Sequence, residues 1–297
     1  LGQLGLGNTS SNDVLTPHTV TFNGASTPLS VHAGRNEFCA QLDNGSAACW
    51  GQNADGQFGL GNTTSQISPI ALTLPTGRTI ASMSLAKDFI CMTLDNGSVV
   101  CAGRNTESQI GQGTTSTAEL SWKYVVGLDM VAHSVGLGQD VGCAHLVNGS
   151  MVCWGEDVWG FFGNSASSYT WRSATTASEY VDFGDDRTAA SISVNYRHAC
   201  AVLDNGDLTC WGRNHKAQLG LGNITQEFMP VVVSNVSSIR QVQIHEMLVD
   251  PANADFRPTW GSPLHQLGAG AYDAGDADPW DAGVSWTYSP MSNPIAG

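Results

Sequence analysis

The chain has 297 residues, 41% of them hydrophobic and only 13% charged, with 34 glycines. That mixture suits short strands joined by tight turns and suits long amphipathic helices poorly. Its 12 Lys+Arg against 26 Asp+Glu leave a net charge of -14, which repels nucleic-acid phosphates and anionic headgroups, and no apolar run approaches the roughly 18 residues of a membrane span.

The chain opens in mid-repeat on Leu1-Gly2-Gln3-Leu4-Gly5 without a leading Met, and is read as a processed chain whose true N-terminus lies upstream. Gly-Gln-Leu-Gly-Leu-Gly-Asn at 2–8 returns at 56–62 as Gly-Gln-Phe-Gly-Leu-Gly-Asn and at 217–223 as Ala-Gln-Leu-Gly-Leu-Gly-Asn. Weaker copies run over 108–113, 160–164 and 265–270, so the central glycines Gly5, Gly59, Gly111, Gly163, Gly220 and Gly268 step by 54, 52, 52, 57 and 48 residues. Six copies at about fifty residues mark a repeat architecture.

Between these turns lies a second block, clearest at 38–51 and repeated at 91–103, 143–155 and 200–212. Each copy holds two short apolar stretches around a glycine-bearing polar centre, the pattern of a β-hairpin. All eight cysteines fall in these blocks, ten apart: Cys39/Cys49, Cys91/Cys101, Cys143/Cys153 and Cys200/Cys210. Placing Cys39 opposite Cys49 puts Leu42 opposite Ser46 and leaves Asp43-Asn44-Gly45 as the loop. A three-residue loop needs positive φ at its last residue, which Gly45 supplies, as do Gly97, Gly149 and Gly206 in the other copies. The cysteines then form a non-hydrogen-bonded pair with Cα atoms about 4.5 Å apart, close enough to bridge. Four hairpin disulfides are expected, each contributing roughly 2–3 kcal/mol, and with them an oxidising, extracellular setting. Zinc ligation would want Cys-x-x-Cys pairs, which do not occur.

Further β-like stretches surround Pro17, Pro69 and Pro230, and another runs from Ala189 to Val194. A hairpin plus two such stretches per repeat makes the four-stranded blade of a β-propeller. The fold class expected is therefore all-β, a propeller of about six to seven blades with one hairpin disulfide in each of four.

The run from Gly184 through His198-Ala199-Cys200, Asp204-Asn205-Gly206 and Cys210-Trp211-Gly212-Arg213-Asn214 to Gln218-Leu219-Gly220 resembles the regulator of chromosome condensation repeat, in particular its cysteine-bearing secreted or surface variety. The resemblance extends to about residue 271 and implies a closed propeller, usually of seven blades. Residues 1–271 are read as a leading half-repeat, four clear repeats and an eroded one at 244–261, and residues 272–297 as an acidic, Trp-containing tail. Either Val284–Tyr288 completes the first blade, or residues upstream do. Ala102 replaces the hairpin tryptophan in one copy, and Trp159-Gly160-Phe161-Phe162 tightens another glycine turn. Nucleotide exchange and β-lactamase inhibition, known in the family, do not carry over, since fold does not fix function.

Asn-x-Ser/Thr sequons stand at Asn8, Asn44, Asn62, Asn96, Asn148, Asn223 and Asn235 and are candidate N-glycan sites. Turn chemistry alone also asks for asparagine at Asn44, Asn96 and Asn148. Asp273, Asp276, Asp278 and Asp281 do not follow a calcium-loop spacing and are read as a solvated tail. His198 recurs at a repeat position as a core hydrogen-bonder. Trp122, Trp159, Trp171, Trp280 and Trp286 lie off the repeat's tryptophan position and serve either packing or binding. No catalytic, phosphate-binding or dinucleotide motif is present, so neither cofactor nor catalysis is expected. The expectation is a non-catalytic extracellular propeller, glycosylated and partnered by a protein or by itself in a surface or filamentous assembly. The alternative is a soluble secreted binder or inhibitor.

Overall fold

A computed structural model of the chain describes residues 2–8, 14–22, 24, 26–165, 172–184 and 186–234, with the backbone of two short strands further on. Residues 1–239 form one compact unit and 240–297 a second. In the first unit the fifty-residue period becomes four antiparallel sheets of four strands, in simple sequence order. The first blade holds β1 (Pro28–Ala33), β2 (Glu37–Leu42), β3 (Ala47–Gly51) and β4 (Gln66–Ala71). The second holds β5 (Ile80–Leu85), β6 (Phe89–Leu94), β7 (Val99–Arg104) and β8 (Ala118–Tyr124). The third holds β9 (Ala132–Leu137), β10 (Val141–Leu146), β11 (Met151–Asp157) and β12 (Arg172–Tyr180). The fourth holds β13 (Ala189–Asn195), β14 (His198–Leu203), β15 (Leu208–Gly212) and β16 (Glu227–Val232). In the second unit the described residues form one antiparallel pair, β17 (Leu248–Asp250) with β18 (Asp255–Pro258).

The first strands of successive blades, β1, β5, β9 and β13, are neighbours around the axis. Blade packing supplies the core. One apolar cluster joins blades one and two through Phe58, Ile90, Met92 and Leu94, and a second joins two and three through Phe89, Ile110, Leu137 and Trp154. A third joins three and four through Val141, Phe161, Phe162, Leu203 and Trp211. A single sheet leaves both faces wet; stacking removes them, at roughly 1.5–3 kcal/mol for each large side chain buried.

The hairpins have the expected register. Cys39 pairs with Cys49, Cys91 with Cys101, Cys143 with Cys153 and Cys200 with Cys210. All four pairs are disulfide-bonded, with Cα atoms 4.0–4.1 Å apart. At the first tip Leu42 N–H donates to the Ser46 carbonyl (2.8 Å) and Gly45 N–H to that of Leu42 (3.0 Å). Gly45 takes φ +78°, and a Cβ there would also stand 2.7 Å from Thr79 of the next blade. The turn and the blade contact both require its missing side chain.

The Gly-x-Leu-Gly turn joins neighbouring blades. The indole N–H of Trp50 donates to the Gln3 carbonyl (2.8 Å), that of Trp154 to Gln109 (2.9 Å) and that of Trp211 to Phe161 (2.8 Å). Each ring lies on the glycine two residues further on: Gly5, Gly111 or Gly163. The second blade has Ala102 at this position, and there Trp122 of β8 lies against Gly59 in its place. Of the two roles open to Trp122, the structure assigns packing. Its Nε1 has no hydrogen-bond partner, so it fills the volume without making the bond.

Candidate functional site at the axial turns

The most repetitive polar residues hold the scaffold. Asn53 Oδ1 accepts the Phe58 N–H (2.9 Å) while Nδ2 donates to the carbonyls of Asn62 (3.0 Å) and Thr64 (3.3 Å). Asn105 and Asn214 repeat this brace on Ile110 and Leu219. Gln57, Gln109 and Gln218 each accept an N–H two residues back, at 3.2, 2.8 and 2.8 Å. In the third blade Asp157, which has no amide hydrogens, accepts the Phe162 N–H at 3.3 Å. Asparagine and glutamine in the motif therefore satisfy a long loop's backbone.

Elsewhere the copies diverge. Between the first and second strands of every blade lies a tight turn, closed for example by Gly34 N–H on the Glu37 carbonyl (2.9 Å) and Ala86 N–H on that of Phe89 (3.0 Å). Its central residues are Arg35-Asn36, Lys87-Asp88, Gln139-Asp140 and Tyr196-Arg197 in the four blades. Because the inner strands ring the axis, these turns meet there and line a cavity of about 550 Å³. The first of each pair, Arg35, Lys87, Gln139 and Tyr196, faces the cavity, and Arg35 and Lys87 are the charged side chains of its lining.

The second residues are engaged elsewhere. Asp88 meets Lys87 Nζ at 2.8 Å and Arg104 Nη1 at 3.7 Å. Asp140 accepts from Gln109 Nε2 (3.2 Å), and burial raises its pKa. Arg197 donates through Nε to Gln139 (3.2 Å) and lies over the Tyr196 ring, which is 52% exposed. Beneath this rim Glu37 is wholly buried; it accepts the Asn36 N–H (2.9 Å) through Oε2. Burial chiefly, with Asp88 and Asp55 adding repulsion, pushes Glu37 up to about 7, against opposing backbone hydrogen bonds. Glu156 is likewise pushed up to about 7, by burial and then by Asp140 and Glu107. Burial thus biases both carboxyls towards the neutral form.

The hairpin tips stand at the opposite end from these turns. Asn44, Asn96 and Asn148 are exposed there, each side-chain oxygen accepting the N–H of its sequon's serine at 3.0–3.1 Å. Asn8, Asn62 and Asn223 are exposed in the glycine-turn loops, and Asn235 lies outside the described residues. His198 is half-buried but makes no side-chain hydrogen bond among the described residues, contrary to expectation; burial lowers its pKa. Trp159 lies under the Arg213 guanidinium at 5.5 Å. Trp171, Trp280, Trp286 and the acidic run 273–281 lie outside the described residues. Among the described residues no three His, Cys, Asp or Glu side chains converge as metal ligands.

The axial turns were not singled out from sequence. The signal available was positional: each stands four residues before the first hairpin cysteine, where otherwise similar copies carry Arg, Lys, Gln and Tyr.

Family models of the regulator of chromosome condensation (RCC1) repeat match residues 189–218 and 205–247. The chain has the β-propeller fold of the RCC1 structures, and its residues 189–247 match the RCC1 repeat. It is 24% identical to the ultraviolet-B receptor UVR8 of Arabidopsis thaliana over 268 residues, 89% of this chain and 58% of the receptor. It is 27% identical over 221 residues to the mouse secretion-regulating guanine nucleotide exchange factor, covering 73% of this chain and 47% of that protein. The chain thus spans about half the length of these relatives. Among solved structures, human WBSCR16 superposes with a TM-score of 0.67 at 20% identity, over 80% of this chain and 61% of that one. Yeast RCC1 (Prp20), solved bound to Kap60, superposes with a TM-score of 0.63 at 19% identity, over 72% of this chain and 51% of that one.

Proposed function

We propose that this RCC1-like propeller is a non-catalytic protein-interaction module of an oxidising, extracellular compartment, presenting the axial turn face to its partner. The observation that carries the reading is the contrast between repeats. Where the fold needs a given residue, the four copies keep the cysteines and the glycines, and all but the third, which has Asp157 and Phe161, keep the loop asparagine and the motif glutamine. At the four cavity-facing turn positions they hold Arg35, Lys87, Gln139 and Tyr196. A loop position that the scaffold does not fix and that faces a cavity on a rigid ring is where specificity accumulates. The yeast relative is solved with Kap60, a protein, on it, which supports recognition of a protein.

Four hairpin disulfides support the oxidising compartment. N-glycans are assigned to the exposed sequons, foremost Asn96 and Asn148 at the hairpin tips, which leaves the axial face clear. The chain is then a glycosylated subunit of a surface assembly; the axial cavity favours, as a second reading, a secreted binder of one protein. The test is co-purification from native material with the quadruple variant R35A/K87A/Q139A/Y196A. The reading expects the partner to be lost while melting temperature and disulfides are kept. Retention of the partner would refute it. Electron microscopy and solution mass separate the two forms: arrays support the assembly, a discrete monomer the secreted binder.

A further inference from the structure

The charge arrangement at the axial cavity is out of keeping with the rest of the molecule. The chain carries 26 acidic against 12 basic residues, yet the charged side chains lining this cavity are both cations, Arg35 and Lys87. Arg35 is exposed, and its guanidinium makes no ion pair or hydrogen bond within the described residues. Arg197 lies on the fourth blade's turn of the same set, held by Gln139 and the Tyr196 ring. The nearby carboxylates are spent: Asp88 on Lys87 and Arg104, Asp140 on Gln109, and Glu37 buried under the turn. The free guanidinium of Arg35, with Lys87 next to it in the lining and held by Asp88, makes a cationic mouth on a negative body.

We propose that this mouth seats an acidic segment of the partner protein, with its carboxylates on Arg35 and Lys87. Guanidinium is suited to this because it bonds carboxylates through two parallel N–H groups. Gln139 and Tyr196 complete the seat, offering an amide and an exposed phenol to the segment's backbone. The body's negative charge repels acidic chains everywhere but here, so specificity comes from the surroundings as well as from the seat. The inference rests on the interaction reading above and names the chemistry of its partner.

Fluorescence anisotropy of a labelled Asp/Glu-rich peptide on the full-length protein tests it. Saturable binding that weakens as salt rises is expected, with none for a Lys-rich peptide. R35Q alone, which disturbs no contact, weakens binding severalfold, and R35Q/K87Q weakens it on the order of tenfold. The control K123Q/R187Q removes the same charge from β8 and from the surface pair of Arg187 with Asp204, and binding is unchanged. Equal losses in both double variants, or no saturable binding, would overturn the proposal. So would full displacement by millimolar inorganic phosphate, which would make the mouth a small-anion site. A partner that co-purifies through the axial turns yet is indifferent to R35Q/K87Q would sink this inference alone and leave the interaction reading standing.

Discussion

Trp122 and Ala102 show how one position can be lost and its packing kept. In the other joints the indole comes from the hairpin; in the second blade it comes from the outer strand and reaches the same glycine, Gly59. Replacing Trp122 by Ala is expected to cost roughly 2–3 kcal/mol in chemical denaturation, a large side chain removed from a partly buried seat. A102W alone overpacks a wholly buried position and also destabilises. The double variant W122A/A102W returns the indole to its usual strand and is expected to be more stable than either single variant. Strict additivity would show that the two residues do not share a seat.

Glu37 makes the second residue-scale prediction. Its pKa is raised from 4.5 to about 7, so between those values the folded chain holds a proton that the unfolded chain has released. Stability therefore falls as pH rises from about 4.5 through 7, and the loss is complete above that range. E37Q removes the titration. The variant is expected to be about 1 kcal/mol more stable than the parent at pH 8 and to show a flatter pH profile across the window. A parent profile that rises through pH 5–7 with no change in E37Q would contradict the burial argument.

At the scale of the element, the hairpin was the part most legible in the sequence. Ten-residue cysteine spacing and a glycine three residues after the apolar stretch fix one register, and that register is found in all four blades. The outer strands were legible only as stretches around Pro17, Pro69 and Pro230; Pro69 and Pro230 lie in outer strands, β4 and β16, which pair on one side only, whereas residues 14–22 around Pro17 form no strand. Because each disulfide closes a short loop within one sheet, C91S/C101S is expected to lower unfolding free energy by roughly 2–3 kcal/mol without loss of the β-sheet circular dichroism signal. Collapse of the whole unit on losing this single bridge would mean that the bridges, and not blade packing, hold the propeller.

At the scale of the whole molecule, the repeat period made the propeller legible, while the candidate site was not. A search for self-similarity finds what the copies share, and Arg35, Lys87, Gln139 and Tyr196 share only a place in the turn. Their convergence is a product of the ring: four positions about fifty residues apart in sequence are brought to one cavity because each opens the hairpin next to an inner strand. Compositional charge likewise excluded polyanions as partners of the surface at large and hid a local cationic mouth. The number of blades beyond the four described and the fate of Asn235 belong to residues outside the described ones.

The account turns on the axial turns being the working face. A photo-reactive amino acid placed at Tyr196, with the same group at the hairpin tip residue Asn205 as control, tests this in cells that make the protein. Both sites are exposed and lie at opposite ends of the fourth blade. Cross-linking of a discrete partner from position 196 and none from 205 is the result the account predicts. Cross-links from 205 alone would move the interface to the other end and contradict it.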